Sequence, residues 1–301
     1  MKRTRRVLSS LLLIALMISL CLIAGVYIVK VVRDRAEQQR QAEAAVEETV
    51  QTEDEVEAEA SQVEQQAEAS KAEKVYAYRG SSEDGLYTMA AYEKAVEAGA
   101  GTIAIPFVVS KDGTLYVADD DYAESLTGYG GYFSGMSDGQ IDSLETKSGT
   151  KVLKLGDVFD KFGKDVRYVI EMKYTSERNM NALREMLEKY GNEESVSISC
   201  QYFRGLRSLE SSLPDVQKIF ICQDEAAFGE SRNLNYIDTI AVSRDFMDEE
   251  VCRDVHEHGK KFSVWTLNTE EDIKRALEIG ADSFFTDEAA IAVGVEAGAA
   301  E

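Results

Sequence analysis

The chain has 301 residues, and its 33 Lys+Arg face 55 Asp+Glu, for a formal net charge of −22. That field argues against nucleic acid as a partner, two Pro exclude collagen-like and Pro-rich classes, and four Cys exclude a disulfide-dense scaffold. With 44% hydrophobic residues a sizeable core can form, yet the only histidines are His256 and His258, so a mechanism needing two separated histidines has almost nothing to work with.

Residues 1–35 read as a membrane anchor. Lys2, Arg3, Arg5 and Arg6 precede an uncharged run from Val7 to Ile28, closed by Lys30, Arg33 and Arg35. That run is close to the ~20 residues a helix needs to cross a bilayer core. A cleaved signal peptide would carry a shorter apolar region, ~7–15 residues, with a small-x-small cleavage site. The basic residues on the two flanks nearly balance, so the positive-inside bias is weak. A short tail before a first span usually stays cytoplasmic. The expected topology is a single-pass cell-membrane protein with the remainder extracytoplasmic.

Residues 36–74 are rich in Ala, Glu and Gln, with 12 acidic against 3 basic residues. Helix propensity is high, but Ala and Val form no sustained heptad seam. The segment reads as an acidic stalk or linker held extended by like-charge repulsion. A dimeric coiled coil is the competing reading.

From about residue 75 to 290, β-branched and aromatic runs alternate with helical patterns. The sequence predicts strands at Val75–Tyr78, Thr102–Val109, Thr114–Val117, Arg167–Met172, Ser195–Ser199, Gln217–Cys222, Thr239–Val242, Phe262–Thr266 and Ser283–Phe285. Helices are predicted at Thr88–Ala98, Leu155–Phe162, Ser176–Tyr190, Asp248–His258 and Thr269–Ile279. Thr269 with Asp272 has capping-box form, and Gly99, Gly191, Gly259 and Gly280 stand where helices should stop. Strand–helix alternation over this length predicts an α/β fold, a (β/α)8 TIM barrel. Nine strand-like runs make one an excursion, and Lys111-Asp112-Gly113 marks a tight turn between two of them. Residues 291–301 read as a C-terminal tail.

In such a barrel the site is built at the C-terminal ends of the strands. Those ends carry Tyr78-Arg79-Gly80, Asp119-Asp120-Asp121, Glu171-Met172-Lys173, Trp265-Thr266-Leu267-Asn268 and Thr286-Asp287; the second strand holds Ala104 and Pro106. Glu171 and Lys173, two apart, share a face. Arg79 and Lys173 either make a positive mouth suited to a phosphate or neutralise Glu171 and the acidic trio. Tyr122 to Lys151, rich in Tyr, Gly and Ser, follows a strand end. Its Tyr132 and Phe133 either form a lid over the mouth or pack onto the barrel top. Cys200, Cys222 and Cys252 show no C-x-x-C spacing, so zinc and thiol chemistry are not expected.

The order of these segments resembles the glycerophosphodiester phosphodiesterase family of phospholipase-C-like phosphodiesterases. Ala77-Tyr78-Arg79-Gly80 is similar to its A-H-R-G. The helix from Tyr92 to Ala100 is similar to A-F-x-x-A-x-x-A-G-A. Ser110-Lys111-Asp112-Gly113-Thr114-Leu115 resembles T-K-D-G-x-L. Ile170-Glu171-Met172-Lys173 matches I-E-x-K, Trp265-Thr266-Leu267-Asn268 resembles W-T-V-N, and Phe285-Thr286-Asp287 resembles the closing I-T-D. The resemblance implies a barrel that hydrolyses glycerophosphodiesters to glycerol 3-phosphate and an alcohol. It implies a divalent cation, usually calcium or magnesium, and two acid–base histidines.

The chain departs from that pattern where the chemistry lies. Tyr78 and Asp119 stand at the histidine positions, with Asp120 at the aspartate of the second motif, and Ala104 and Pro106 stand at two metal-ligand positions. Arg79, Lys173 and Trp265 remain for a phosphate-bearing ligand, and Glu171 remains as a family metal ligand. A hard cation needs several oxygen ligands, so no cofactor is expected unless the protein is active. The expectation is a catalytically impaired homologue that binds a phosphate-bearing small molecule, a lipid head-group or a partner protein. The alternative is an active diesterase with a shifted calcium or magnesium site made of Asp119, Asp120 and Glu171. A third reading is a structural module of the envelope with an empty mouth. Pro106, lacking a backbone donor, suggests a bulge in its strand.

Overall fold

A computed structural model describes residues 71–80, 85–191 and 193–299. The anchor over 1–35, and the stalk as far as residue 70, lie outside the described residues. Among the described residues no helix is long and apolar enough to cross a membrane.

Nine strands occur among the described residues: β1 Ala72–Tyr78, β2 Ala100–Val109, β3 Leu115–Val117, β4 Arg167–Glu171, β5 Val196–Cys200, β6 Gln217–Ile221, β7 Thr239–Ser243, β8 Lys261–Trp265 and β9 Ser283–Thr286. Eight are parallel and close into a ring in the order β1-β2-β4-β5-β6-β7-β8-β9, with β9 pairing back to β1. The excursion is β3, which runs antiparallel to the end of β2. Its turn is the expected one: Ser110 N donates to Thr114 O at 2.9 Å and Gly113 N to Ser110 O at 3.1 Å.

The helices are α1 Met89–Glu97, α2 Glu124–Thr127, α3 Asp138–Ser143, α4 Leu155–Phe162, α5 Glu177–Tyr190, α6 Phe203–Ser212, α7 Glu225–Ser231, α8 Glu249–Glu257, α9 Glu270–Glu278 and α10 Ala289–Ala299. Thr88, Ser176, Asp224, Asp248 and Thr269 each cap a helix by accepting a backbone N–H. Gly99, Gly191, Gly259 and Gly280 follow helix ends at positive φ, where a side chain would be strained.

The main core lies between the strands and the helices, as parallel strands buried on both faces require. Inside the ring, aliphatic side chains pack with aromatic ones. Ala104, Val169, Ile219, Ile221, Ala241 and Phe285 form a separate apolar layer, and the Ser283 hydroxyl bonds the Ser263 hydroxyl at 3.0 Å. A third cluster supports the long loop after β3. Val108, Tyr116, Phe133, Met136, Ile141 and Val152 pack there, and Phe133 is fully buried.

Three expectations are corrected. Pro106 makes no bulge, because the β2–β4 register runs unbroken from Thr102↔Arg167 to Pro106↔Glu171. Its carbonyl accepts from Ala118 N at 3.3 Å, next to the β2–β3 pairing that begins at Phe107↔Val117, so the strand stays paired on both sides of the proline. Residues 291–299 of the stretch read as a tail belong to α10, which lies against β1; Ala292 is buried and Glu296 accepts from Lys74 N at 3.2 Å. The loop pair divides as well. Phe133 packs inward, whereas Tyr132 stays exposed with its ring 5.2 Å from that of Tyr122.

Candidate functional site

Strand register gathers the polar strand ends. Tyr78 pairs with Ala104, Pro106 with Glu171, Glu171 with Ser199, and Ser243 with Trp265. These residues mark the C-terminal mouth, where a cavity of about 350 Å³ opens. Its lining includes every retained candidate: Tyr78, Arg79, Asp119, Glu171, Lys173 and Trp265.

One half of the mouth is a closed polar cluster. The Tyr78 hydroxyl lies 2.8 Å from Glu171 Oε2 and 3.0 Å from Asp119 Oδ1. It holds one proton, so it donates to one carboxylate at a time. The Lys173 ammonium bonds Asp119 and stands 3.8 Å from Glu171 Oε1. Burial, then the charges of Glu171 and Asp119, push Tyr78 well above the ordinary phenol range. Burial also raises Glu171, against the opposing pull of Lys173 and the Tyr78 hydrogen bond. The cluster therefore resists ionisation of Tyr78 at neutral pH.

Arg79 belongs to a second pair. It sits at φ 64, an uncommon conformation for a side-chain-bearing residue. The next residue, Gly80, has φ 88, and a Cβ there would stand 2.5 Å from that of Ala91, so the turn can pass this close to α1 only with glycine. Arg79 Nε donates to Asp287 Oδ1 at 2.8 Å, and Nη2 bonds the other oxygen. Burial opposes the charge on Arg79, but the hydrogen bonds and charge of Asp287 outweigh it and raise the guanidinium's pKa. Asn268 fixes Asp287, donating to its Oδ2 at 3.2 Å and accepting its backbone N–H at 2.9 Å. Of the two readings of Arg79 and Lys173, the structure favours neutralisation. Both cations have carboxylate partners, but that of Arg79 is Asp287, just after the neighbouring strand β9, rather than Glu171 or the trio.

The acidic trio splits three ways. Asp119 faces the mouth. Asp120 Oδ1 accepts from Tyr174 Oη at 3.0 Å and Tyr122 N at 2.9 Å. Asp121 accepts from Ser134 N at 2.7 Å and from its hydroxyl, holding the long loop. A site made of Asp119, Asp120 and Glu171 is therefore not assembled. A calcium or magnesium ion does not fit the donor set present: two carboxylates already shared with a phenol and an ammonium, beside the oxygen-free side chains of Ala104 and Pro106. Among the described residues no group of three His, Cys, Asp or Glu is placed to hold a metal.

His256 and His258 are remote from the mouth. His256 Nε2 lies 2.8 Å from Asp282, which caps the opposite end of β8 through Phe262 N, and His258 Nδ1 lies 2.7 Å from Asp254 O. Burial pushes the thiols of Cys200, Cys222 and Cys252 up to about 11, so none is a thiolate near neutrality. The rest of the lining joins Thr266 and Phe285, from the strand-end motifs already noted, to four residues not singled out in the sequence: Ser199, Gln201, Ile221 and Gln223. Ser199 and Gln201 sit at the end of β5, two apart like Glu171 and Lys173. That parity was the one available signal.

The buried tyrosines give a pH prediction. Burial is the main cause that holds Tyr78 and Tyr92 above the ordinary phenol range. They stay protonated in the fold while the unfolded chain's tyrosines ionise near ~10. Their contribution is complete below that pH and is lost as pH rises towards the folded values, at about 1.4 kcal/mol per pH unit for each. Melting temperatures across pH ~9 to ~11 should fall progressively steeply; a flat profile would mean that the phenols ionise in the fold.

The profile of the glycerophosphoryl diester phosphodiesterase family matches residues 78–291. The chain is 27% identical over 232 residues to the uncharacterized protein YqiK of Bacillus subtilis, covering 71% of this chain and 94% of that one. It is 27% identical over 234 residues to a glycerophosphodiester phosphodiesterase of Caldanaerobacter subterraneus, covering 71% and 93%. Among solved structures, an Oleispira antarctica phosphodiesterase in complex with the product sn-glycerol-3-phosphate superposes with a TM-score of 0.69 at 19% identity, covering 74% of this chain and 96% of that one.

Proposed function

The chain belongs to the glycerophosphoryl diester phosphodiesterase family, and from that premise we propose that its barrel binds a phosphate-bearing ligand of the glycerol phosphate type without hydrolysing it. The observation that carries this reading is the Tyr78–Glu171–Asp119–Lys173 cluster. At the positions of the family's acid–base pair stand a phenol that keeps its proton and a carboxylate paired with an ammonium. General acid–base catalysis at neutral pH needs groups that exchange protons there. The ammonium of Lys173 lies between the two carboxylates that a divalent cation would need.

Binding of an anion remains within reach of the same groups. Arg79 spends two of its five N–H donors on Asp287, and an ammonium has three. The bound product in the Oleispira antarctica relative supports a glycerol phosphate ligand for this mouth. The full protein, in this reading, is tethered by residues 1–35 with its barrel outside the cell membrane. Protease accessibility of the barrel in intact cells tests that topology.

Function is tested with the full chain in detergent. Incubation with glycerophosphocholine and millimolar calcium or magnesium is expected to release no glycerol 3-phosphate above the blank. Calorimetry with sn-glycerol 3-phosphate is expected to show saturable heat that Lys173→Gln reduces. Release that is abolished by EDTA and by Glu171→Ala would overturn the non-catalytic reading and establish a metal-dependent diesterase.

A further inference from the structure

We propose that the tyrosine-rich rim beside the mouth is a protein-docking surface whose partner is an arginine-rich segment of another protein. Six large apolar or aromatic side chains are exposed among the described residues. Five of them are tyrosines on segments that follow strand C-termini: Tyr122, Tyr129, Tyr132, Tyr174 and Tyr202. Exposed apolar residues scattered singly need no explanation, but a group of one type on one face of a barrel does. None of the five lines the cavity, so docking here is independent of the mouth's ligand.

The rim is held in place. Residues 121–133 form a hairpin in which Ala123 N donates to Gly131 O and Phe133 N to Asp121 O, each at 2.8 Å. Tyr122 stands opposite Tyr132, with their rings 5.2 Å apart. Gly130 and Gly131 let rings lie on the backbone: a Cβ on Gly131 would stand 2.7 Å from the Tyr129 ring, and one on Gly130 would stand 3.4 Å from Tyr122 Oη. Buried Phe133 and the Asp121–Ser134 bonds anchor one side. On the other, Tyr174 Oη accepts from Asp121 N at 3.1 Å and donates to Asp120 Oδ1 at 3.0 Å. Tyr202 follows β5, the strand paired with β4. A surface fixed in advance loses little entropy on docking. Tyrosine adds a large amphipathic contact, and Tyr, Ser and Gly are the residues from which protein-binding loops are built.

Charge selects the partner. Over residues 119–151 seven acidic residues face two lysines. Among the described residues Asp120, Asp121 and Glu124, beside the tyrosines, pair with no cation. Such a rim repels anionic lipid surfaces and nucleic acid. It offers a guanidinium both a ring face and a carboxylate.

The test measures fluorescence anisotropy of a labelled oligoarginine peptide titrated with the full chain in detergent. Tyr129→Ser/Tyr132→Ser keeps every charge, so attraction to acidic residues elsewhere in the chain is the same in both proteins. The double variant is expected to bind the peptide about 5- to 10-fold more weakly than the wild type. Tyr202→Ser, on a separate loop, gives the same direction if the double variant fails to fold. Equal affinity in wild type and variants would overturn the docking surface and leave only attraction between opposite net charges. Tyrosine-dependent binding of a chito-oligosaccharide or of phosphatidylcholine vesicles, with no tyrosine dependence for the peptide, would overturn the protein partner in favour of a glycan or a membrane.

Discussion

Replacing Asp287 with asparagine is expected to cost the domain about 2–4 kcal/mol and, in the same protein, to strengthen phosphate binding. Asp287 is 5% exposed, holds both bonds of Arg79 and is itself held by Asn268. Breaking a buried pair from one side leaves an uncompensated charge, typically at ~3–5 kcal/mol. The Arg79 side chain is 27% exposed, and that solvent contact reduces the figure. For a domain of this size the melting temperature should fall by roughly 5–15 °C. The guanidinium then stands at the mouth without a carboxylate, so an anion there meets a free partner. Differential scanning calorimetry and titration with inorganic phosphate measure the two effects on one preparation. If stability falls and phosphate binding weakens as well, then Asp287 orients Arg79 for the ligand rather than withholding it.

That pair also marks where the sequence stops being legible. Parallel strands buried on both faces read as continuous apolar runs, so all eight were visible, and β3 was visible through its Lys111-Asp112-Gly113 turn; of the five helices with a side-chain cap, α1, α5, α8 and α9 were visible and α7 was not. Helix α6 was missed because Tyr202 supplies no side-chain cap and the helix itself is rich in Arg and Ser. The Ala- and Gly-rich α10 looked like a tail, since nothing local says that it will cover β1. The site residues on strand ends were legible by position. Their partners were not, because Arg79 meets Asp287 only through closure of β9 onto β1, a contact across 208 residues. Three adjacent aspartates looked like one feature, but successive residues point in different directions, and Asp119, Asp120 and Asp121 acquire three separate partners. Ser199, Gln201 and Gln223 carry no charge and no motif, so nothing local in the sequence marks them as lining the mouth.

Restoring family-type residues is expected to return metal binding first and hydrolysis second. Ala104 lies opposite Tyr78, and Pro106 opposite Glu171. Positions 104 and 106 share one face of β2. Ala104→Glu with Pro106→Asp would therefore set two carboxylates beside Glu171, a donor set suited to calcium. The variant carries costs. Ala104 is 1% exposed against Val169, Ile219 and Ile221, so a glutamate there must displace apolar neighbours. The cation must also displace the Lys173 ammonium from Glu171. At calcium about 100-fold above its Kd, linkage gives about 2.7 kcal/mol, or roughly 5–10 °C in melting temperature, where the wild type should not move. Adding Tyr78→His and Asp119→His replaces the phenol and frees Lys173 from its bonded carboxylate. Each acid–base group is worth roughly 10²–10⁴ in rate, so weak release of glycerol 3-phosphate should appear only in the fourfold variant. A double variant that folds but shows no calcium-dependent stabilisation would remove the correspondence of Ala104 and Pro106 with the metal positions. The mouth would then differ from the family's in backbone placement as well as in these side chains.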